Sequence, residues 1–433
     1  MFHSESNPVP ASPTRFRRLF LLLAPGILVA ATGVGSGDLI TAAIGGSKLG
    51  LGIAWAAIAG SVLKWFLNEG LARWQMGTDT TLLEGWTNHL GRWIRWLFIV
   101  YLVIWSFVTC GALASACGVA GHALAPITDN PATNKIIWGV IHALAGLVLV
   151  LIGGFKLFEK LMSVCIGVMF ITVLLTAGLI LAQGGPIAEL FAFEFPSETK
   201  DRGLLIGILG GVGGTVTLLS YGYWIREQRR GGETGVRLCR IDLAAGYLMT
   251  GLFGLAMILI GSRLNLSGGG DNVALLLADQ LAEALGPAGH IGRWVFLIGF
   301  WGAVFSSLLG VWQSTPYLFT DFFLLGRDHT PEERRDINYE RTGTYRFALV
   351  SISLVPLVLL GLSIKSIQIT YAVLGAGFMP ILALTLLILN NGRHLPKEFR
   401  NGPVTNAMLA ATLLFFAYQG GIELMKIDWT FSK

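Results

Sequence analysis

The sequence predicts an all-α integral membrane protein of about 11 transmembrane helices. They divide into two inverted repeats of five helices plus one, and the first helix of each repeat is unwound. Three observations predict this. Of 433 residues, 53% are hydrophobic and only 13% charged, with a mean hydropathy of +0.65, whereas a soluble chain carries about 25% charged residues. Apolar stretches long enough to cross a bilayer recur along the chain. Two of them are interrupted by glycine runs, Gly33-Val34-Gly35-Ser36-Gly37 and Gly211-Val212-Gly213-Gly214-Thr215, at equivalent places in the two halves.

The elements follow in order. Residues 1–18 are polar and rich in Pro and Ser, and read as a mobile cytoplasmic tail. The next apolar stretch is too long for a signal peptide and carries the first glycine run, so it reads as a mature helix. Spans are expected at 19–46, 51–74, 94–122, 134–153 and 157–183, forming the first repeat (19–183). A second set at 203–225, 241–262, 292–319, 345–363 and 367–390 forms the inverted repeat (203–390), and 404–422 is the extra helix. Residues 1–433 thus read as one transmembrane transporter domain. Of the 31 Lys and Arg, 21 fall on one side of the membrane, nine on the other, and Lys64 lies within a span. The bias places the N-terminus in the cytoplasm and the C-terminus outside. An odd number of spans per repeat inverts the second half, which is the geometry of the LeuT-like fold.

Glycine runs at mid-depth leave the backbone free to unwind, and non-helical backbone survives in hydrocarbon only where it lines a cavity or is buried in protein. Matched breaks in two repeats therefore mark a substrate site. Asp38 follows the first break and is the only carboxylate in its span. A mid-membrane charge normally marks an ion or substrate path. Asp38 reads as a metal ligand, direct or through water, as a cap accepting from the amides of Ile40 or Thr41, or as an ion-pair partner. Gly35, Ser36, Gly37, Thr41, Gly213, Gly214, Thr215 and Thr217 supply carbonyls and hydroxyls around it. Neither break contains Met, Cys or His, and oxygen donors suit hard ions such as Mg²⁺, Mn²⁺ or Ca²⁺. The same glycine floor also suits an organic cation or a larger polar solute, and helix N-termini there suit an anion.

Further polar and aromatic positions are candidates for gating or support: Glu69, Trp105, Tyr221, Gln313 and Tyr371. Each also has a structural reading as helix–helix hydrogen bonding or packing. Glu69 and Lys64 lie about 140° apart on one helix, which makes a mutual pair unfavourable. Cys110, Cys117, Cys165 and Cys239 show no paired spacing and read as small packing residues. The net charge of +5 resides in loops and reports orientation, not a nucleic-acid partner.

APGILVAATGVGSGDLITA resembles the first helix of the Nramp metal-transporter family. The likeness continues through LGLGIAWAAIAG, KLFEKLMSVCIGVMF, RLCRIDLAAGYLMTGLFGLAM and GFWGAVFSSLLGVWQSTPYLFTDFF, covering nearly the whole chain. The resemblance implies a LeuT-like metal transporter. Its usual motifs are absent: aligned on Pro25-Gly26, the family's metal-binding aspartate falls on Gly35, its proline on Ser36 and its asparagine on Asp38. The family's Met-Pro-His falls near Gly213, Gly214 and Thr215. The acidic residues of the third helix have no counterparts, and the glutamine of the tenth corresponds to Gln368. The resemblance thus implies a divergent branch without the sulfur ligand, and without most of the residues that carry protons.

The expectation is a secondary transporter of the inner (plasma) membrane moving Mn²⁺ or Mg²⁺ by alternating access, with proton coupling doubtful. Asp38 would be the anionic ligand, assisted by Thr41, Thr215 and Gln368. The alternative is a small organic solute, an organic cation or amino-acid-like compound, on the same scaffold. No enzyme constellation and no cofactor are expected. The partners are the substrate and the lipid bilayer; the oligomeric state is open, and a monomer is compatible with the pattern.

Overall fold

The computed structural model describes residues 26–35, 37–182, 184, 187–196, 198–211, 214–228, 230, 232–264, 273–326 and 337–425. The expected tail at 1–18 lies outside them. Helix α1 (26–33) ends in the first glycine run, and the chain resumes through one wide turn, Gly37–Thr41, into α2 (Ala42–Leu49). Then follow α3 (Trp55–Thr78), α4 (Arg92–Leu124) and α5 (Pro131–Ala182). The second half holds α6 (Thr199–Gly211), α7 (Ser220–Glu227), α8 (Gly232–Ser262), α9 (Val273–Leu285) and α10 (Gly289–Leu324). It closes with α11 (Gly343–Leu354), α12 (Ile364–Ala376), α13 (Phe378–Asn391) and α14 (Pro403–Met425).

Among the described residues, nine helical stretches are long and apolar enough to cross a membrane; Leu39–Leu49 is a shorter apolar helix. Large apolar side chains face outward on α4 (Trp96, Val100, Ile104) and on α5 (Val148, Ile171, Leu175). Such surface is stable against lipid and costly against water.

Small residues set the helix spacing. The run Thr109 to Ala123 of α4 is wholly buried, and Gly118 sits against the carbonyl of Lys135 on α5. In the same way Gly46 of α2 meets the Ile258 carbonyl of α8, and Gly261 of α8 meets that of Ala43. Without side chains the backbones approach closely, which is how helices associate in lipid, where no hydrophobic force drives them together.

Two expectations need correction. Helical hydrogen bonding runs unbroken through the expected gap at 154–156, so the apolar spans Pro131–Gly153 and Lys160–Ala182 belong to one helix of 52 residues. The glycines and charges at that gap do not suffice to end a helix. The stretch 263–291, expected to be a linker, contains α9, whose Ala274, Leu277, Ala278 and Leu281 form a buried face of helical period.

Candidate functional site

The first break is held from α10. The Val34 amide donates to Ala30 O at 2.7 Å, but the Gly35 amide turns to Gly33 O at 3.1 Å, which takes the helical donor away from Ala31 O. Ser307 Oγ donates to the next carbonyl, Thr32 O, at 2.7 Å, and Ser306 Oγ, which donates to Ala303 O of its own helix at 2.9 Å, also reaches Ala31 O at 3.3 Å. A bare carbonyl in a membrane interior costs several kcal/mol, so the Ser307 hydroxyl stabilises the unwound segment. The Thr32 hydroxyl, on a residue 4% exposed, has no hydrogen-bond partner among the described residues.

The second break is a left-handed turn. Gly214 has φ +91°, a region only glycine enters without strain. Its amide bonds Gly211 O at 3.3 Å; after Thr215 comes one 3₁₀ turn, Val216–Leu219, and then α7. A Cβ on Gly214 would stand 2.7 Å from Thr217 Oγ1 and 3.6 Å from Gly33 Cα, so the two breaks touch. Thr215 Oγ1 accepts a 3.0 Å hydrogen bond from Trp105 Nε1 of α4, and its methyl fills the space that Gly375 of α12 leaves open. Thr41 is buried, its methyl beside Gly207 of α6, which also faces Ala372 of α12.

Of the residues expected at the site, Gly35, Thr41, Gly214, Thr215, Thr217 and Trp105 gather at this junction. Gln368 is buried on α12 and donates from Nε2 to Ala112 O of α4 at 3.0 Å, beside the Leu113 that faces Gly35. Tyr371 is buried three residues further along α12. Ser36 and Gly213 lie outside the described residues. Gly37 and Asp38 are described in backbone only, in the turn Gly37–Thr41, so the Asp38 carboxylate also lies outside.

The remaining candidates lie at one end of the bundle. Glu69 of α3 accepts from Arg73 Nε at 2.8 Å and pairs with Arg240 of α8 at 2.8 Å. Arg73 continues to Phe399 O at 3.0 Å and Asn401 Oδ1 at 2.7 Å, fastening α3 to the segment between α13 and α14. Four consecutive residues of α7 are each tied to a neighbouring helix. Tyr221 OH donates to Asp242 of α8 at 2.7 Å, and the Gly222 carbonyl accepts from Gln75 of α3 at 2.7 Å. Tyr223 OH donates to Asp321 of α10 at 2.9 Å, and Trp224 Nε1 to Gln313 Oε1 of α10 at 3.1 Å. Asp242 is also ion-paired with Arg230.

Sequence reasoning passed over Ser306, Ser307, Asp242 and Asp321. The serine pair was visible inside an apolar span, where two adjacent hydroxyls need acceptors. Asp321 falls two residues beyond the expected span end at 319, which placed it in a loop.

The family described as natural resistance-associated macrophage protein-like (Nramp) matches residues 26–425. A manganese transporter of Eremococcus coleocola, solved with an aromatic bis-isothiourea compound, superposes with TM-score 0.72 at 18% identity, over 96% of this chain and 88% of its own. MhsT in complex with L-phenylalanine gives TM-score 0.65 at 16% identity, over 94% and 98%. A nucleobase-cation-symport-1 family transporter in a closed conformation gives 0.56 at 12%, over 93% and 92%. These likenesses show a LeuT-like fold. An uncharacterized protein of Pasteurella multocida is 22% identical over 282 residues, 64% of this chain and 63% of its own length, under two thirds of that relative.

Proposed function

This chain belongs to the Nramp family, and from that premise we propose that it carries a hard divalent cation, Mn²⁺ or Mg²⁺, by alternating access through the junction of its two breaks. It is a multi-pass membrane transporter and not an enzyme. The observation that carries the reading is the meeting of Gly33 with Gly214, beside the Thr217 hydroxyl. Backbone from the two glycine breaks comes together there with the Thr215 and Thr217 hydroxyls, the donor chemistry of hard ions.

Asp38, directly after the first break, is the proposed anionic ligand, with Thr41, Thr215 and Gln368 assisting. A lone carboxylate with neutral oxygens suits an ion that keeps part of its water, as Mg²⁺ does. Thr215 Oγ1 accepts from Trp105 and keeps a second lone pair for such an ion. The proposed orientation has the N-terminus inside and the C-terminus outside, in the plasma (inner) membrane. We place residues 1–433 in a single domain with no resident cofactor, and proton coupling of the usual kind lacks its relay residues.

The second reading, a small organic solute, draws on the described side chains at the junction being hydroxyls and an indole rather than carboxylates. Thermal unfolding separates the two. Mn²⁺ or Mg²⁺ at about a hundred times its Kd stabilises a binding protein by about 2.7 kcal/mol. That gain should vanish in Asp38→Asn; unfolding indifferent to both metals would favour the organic solute.

A further inference from the structure

At the end of the bundle where α7 and α10 finish, four tyrosines pack together. Tyr223 of α7 stacks on Tyr317 of α10 with ring centroids 5.4 Å apart, and Tyr339 lies 6.3 and 5.8 Å from those two. Tyr345 meets Tyr317 edge-on at 5.3 Å. In their midst is Asp321, 0% exposed. Its Oδ2 accepts from Thr81 Oγ1 at 2.7 Å and Tyr223 OH at 2.9 Å, and its Oδ1 accepts from Tyr339 OH at 3.1 Å.

Each donor comes from a different part of the chain. Thr81 belongs to the turn between α3 and α4, where it exchanges capping hydrogen bonds with Glu84 and is thereby fixed. Tyr339 belongs to the segment before α11 and carries the Arg226 guanidinium over its ring at 5.8 Å. Burial and the neighbouring Asp321 push the Tyr339 phenol well above its usual range, so it stays a donor at physiological pH. Tyr317 OH donates to Glu340 at 3.0 Å, with Glu227 of α7 at 3.4 Å, which adds a second link across the same seam. Only the 3₁₀ turn Val216–Leu219 separates α7 from the second break.

We propose that Asp321 is the latch of a gate at this end of the transport path: it holds α7 against α10, and the path opens when Tyr223 and Thr81 leave its carboxylate. The positive charges assign this end to the cytoplasm, and the latch rests on the transporter reading given above. Hydroxyl-to-carboxylate bonds suit the role. They are strong while water is excluded, yet both partners are readily satisfied by water once it enters, so the closed and open states are each stable. A purely apolar seal would leave its surface exposed when open.

Hydrogen exchange of the full chain in lipid nanodiscs tests this without any substrate, so its outcome is separate from that of the metal reading. In Asp321→Asn and Tyr223→Phe, amides of 216–227 should exchange at least tenfold faster than in the wild type, while those of α5 keep wild-type protection. Tyr339→Phe, which spares the tie to α7, should speed exchange at 337–341 and leave 216–227 nearly unchanged. Faster exchange throughout, α5 included, would reduce Asp321 to a general structural residue and overturn the proposal. Wild-type protection of 216–227 in Tyr223→Phe would overturn it equally, and decides alone should Asp321→Asn fail to fold.

Discussion

The Ser307 hydroxyl donates 2.7 Å to the carbonyl of Thr32, and its side chain occupies the space a Cβ on Gly35 would need. One contact therefore both completes the hydrogen bonding of the broken helix and excludes any side chain at position 35. By the family resemblance this is where the metal-binding aspartate would fall. In this chain that position is filled from α10.

Gly35→Ala should accordingly be damaging. Rotating the hydroxyl away does not relieve the overlap, because Ser307 Cβ would still stand 2.8 Å from the new methyl. Overpacking of this kind costs about 1–3 kcal/mol, and at the break it should reduce transport at least tenfold. The double variant Gly35→Ala with Ser307→Gly removes the overlap but also the donor to Thr32 O, so it should be less damaged than the sum of the two single variants, without reaching the wild type. Strictly additive damage would mean that the crowding is not the cause.

Trp105→Phe keeps an aromatic ring but deletes the donor to Thr215. The buried Thr215 hydroxyl loses a partner 3.0 Å away, at a cost of about 1–3 kcal/mol. Because the second break is where substrate is proposed to sit, the effect should appear mainly as a raised KM. Thr215→Val should mimic it, and the two changes together should be less than additive in a double-mutant cycle.

Glu69→Gln removes the charge that balances Arg73, which is 2% exposed. Stranding one partner of a buried pair costs about 3–5 kcal/mol. Arg240, the second partner, has a side chain 53% exposed, so Arg240→Ala should cost under about 1 kcal/mol. Comparing the thermal midpoints of the two variants in detergent checks the asymmetry; similar losses would contradict it.

Acid should loosen the same end. His89, before α4, stacks on His394, after α13, at 3.8 Å, and both rings meet Trp74 edge-on. Partial burial, then the neighbouring His394, holds the His89 imidazole below its ordinary value of 6.5. A depressed folded value means the unfolded chain takes the proton first. The contribution of His89 is therefore fully present above about pH 6.5 and is lost as pH falls through the folded value. Thermal midpoints between pH 7.5 and 5.5 should fall on acidification and fall less in His89→Gln.

Much of this architecture was legible in the sequence because lipid imposes simple rules. Span positions follow from hydropathy, and the breaks at Gly33–Gly37 and Gly211–Thr215 follow from glycine where a helix would otherwise run on. That the two breaks meet was legible only through the repeat. The partners were not legible. Nothing near Ser307 in sequence reveals a target 275 residues away, and Asp321 gathers Thr81, Tyr223 and Tyr339 from three distant segments. Helix α9 is hidden in the sequence because its flanks are glycine and polar residues, and the continuity of α5 because Gly153, Gly154 and Lys156 interrupt the apolar run. For Glu69, the partner Arg73 lies one turn along the same helix, whereas Arg240 comes from α8 and leaves no trace in the local sequence.

The most direct test is metal uptake by the purified chain in liposomes, with Mn²⁺ and Mg²⁺ reporters inside and Asp38→Ala alongside. Saturable uptake by the wild type, reduced at least tenfold in the variant, is the expected result. A folded, correctly inserted wild type that admits neither ion, or a variant that transports equally well, would contradict the account.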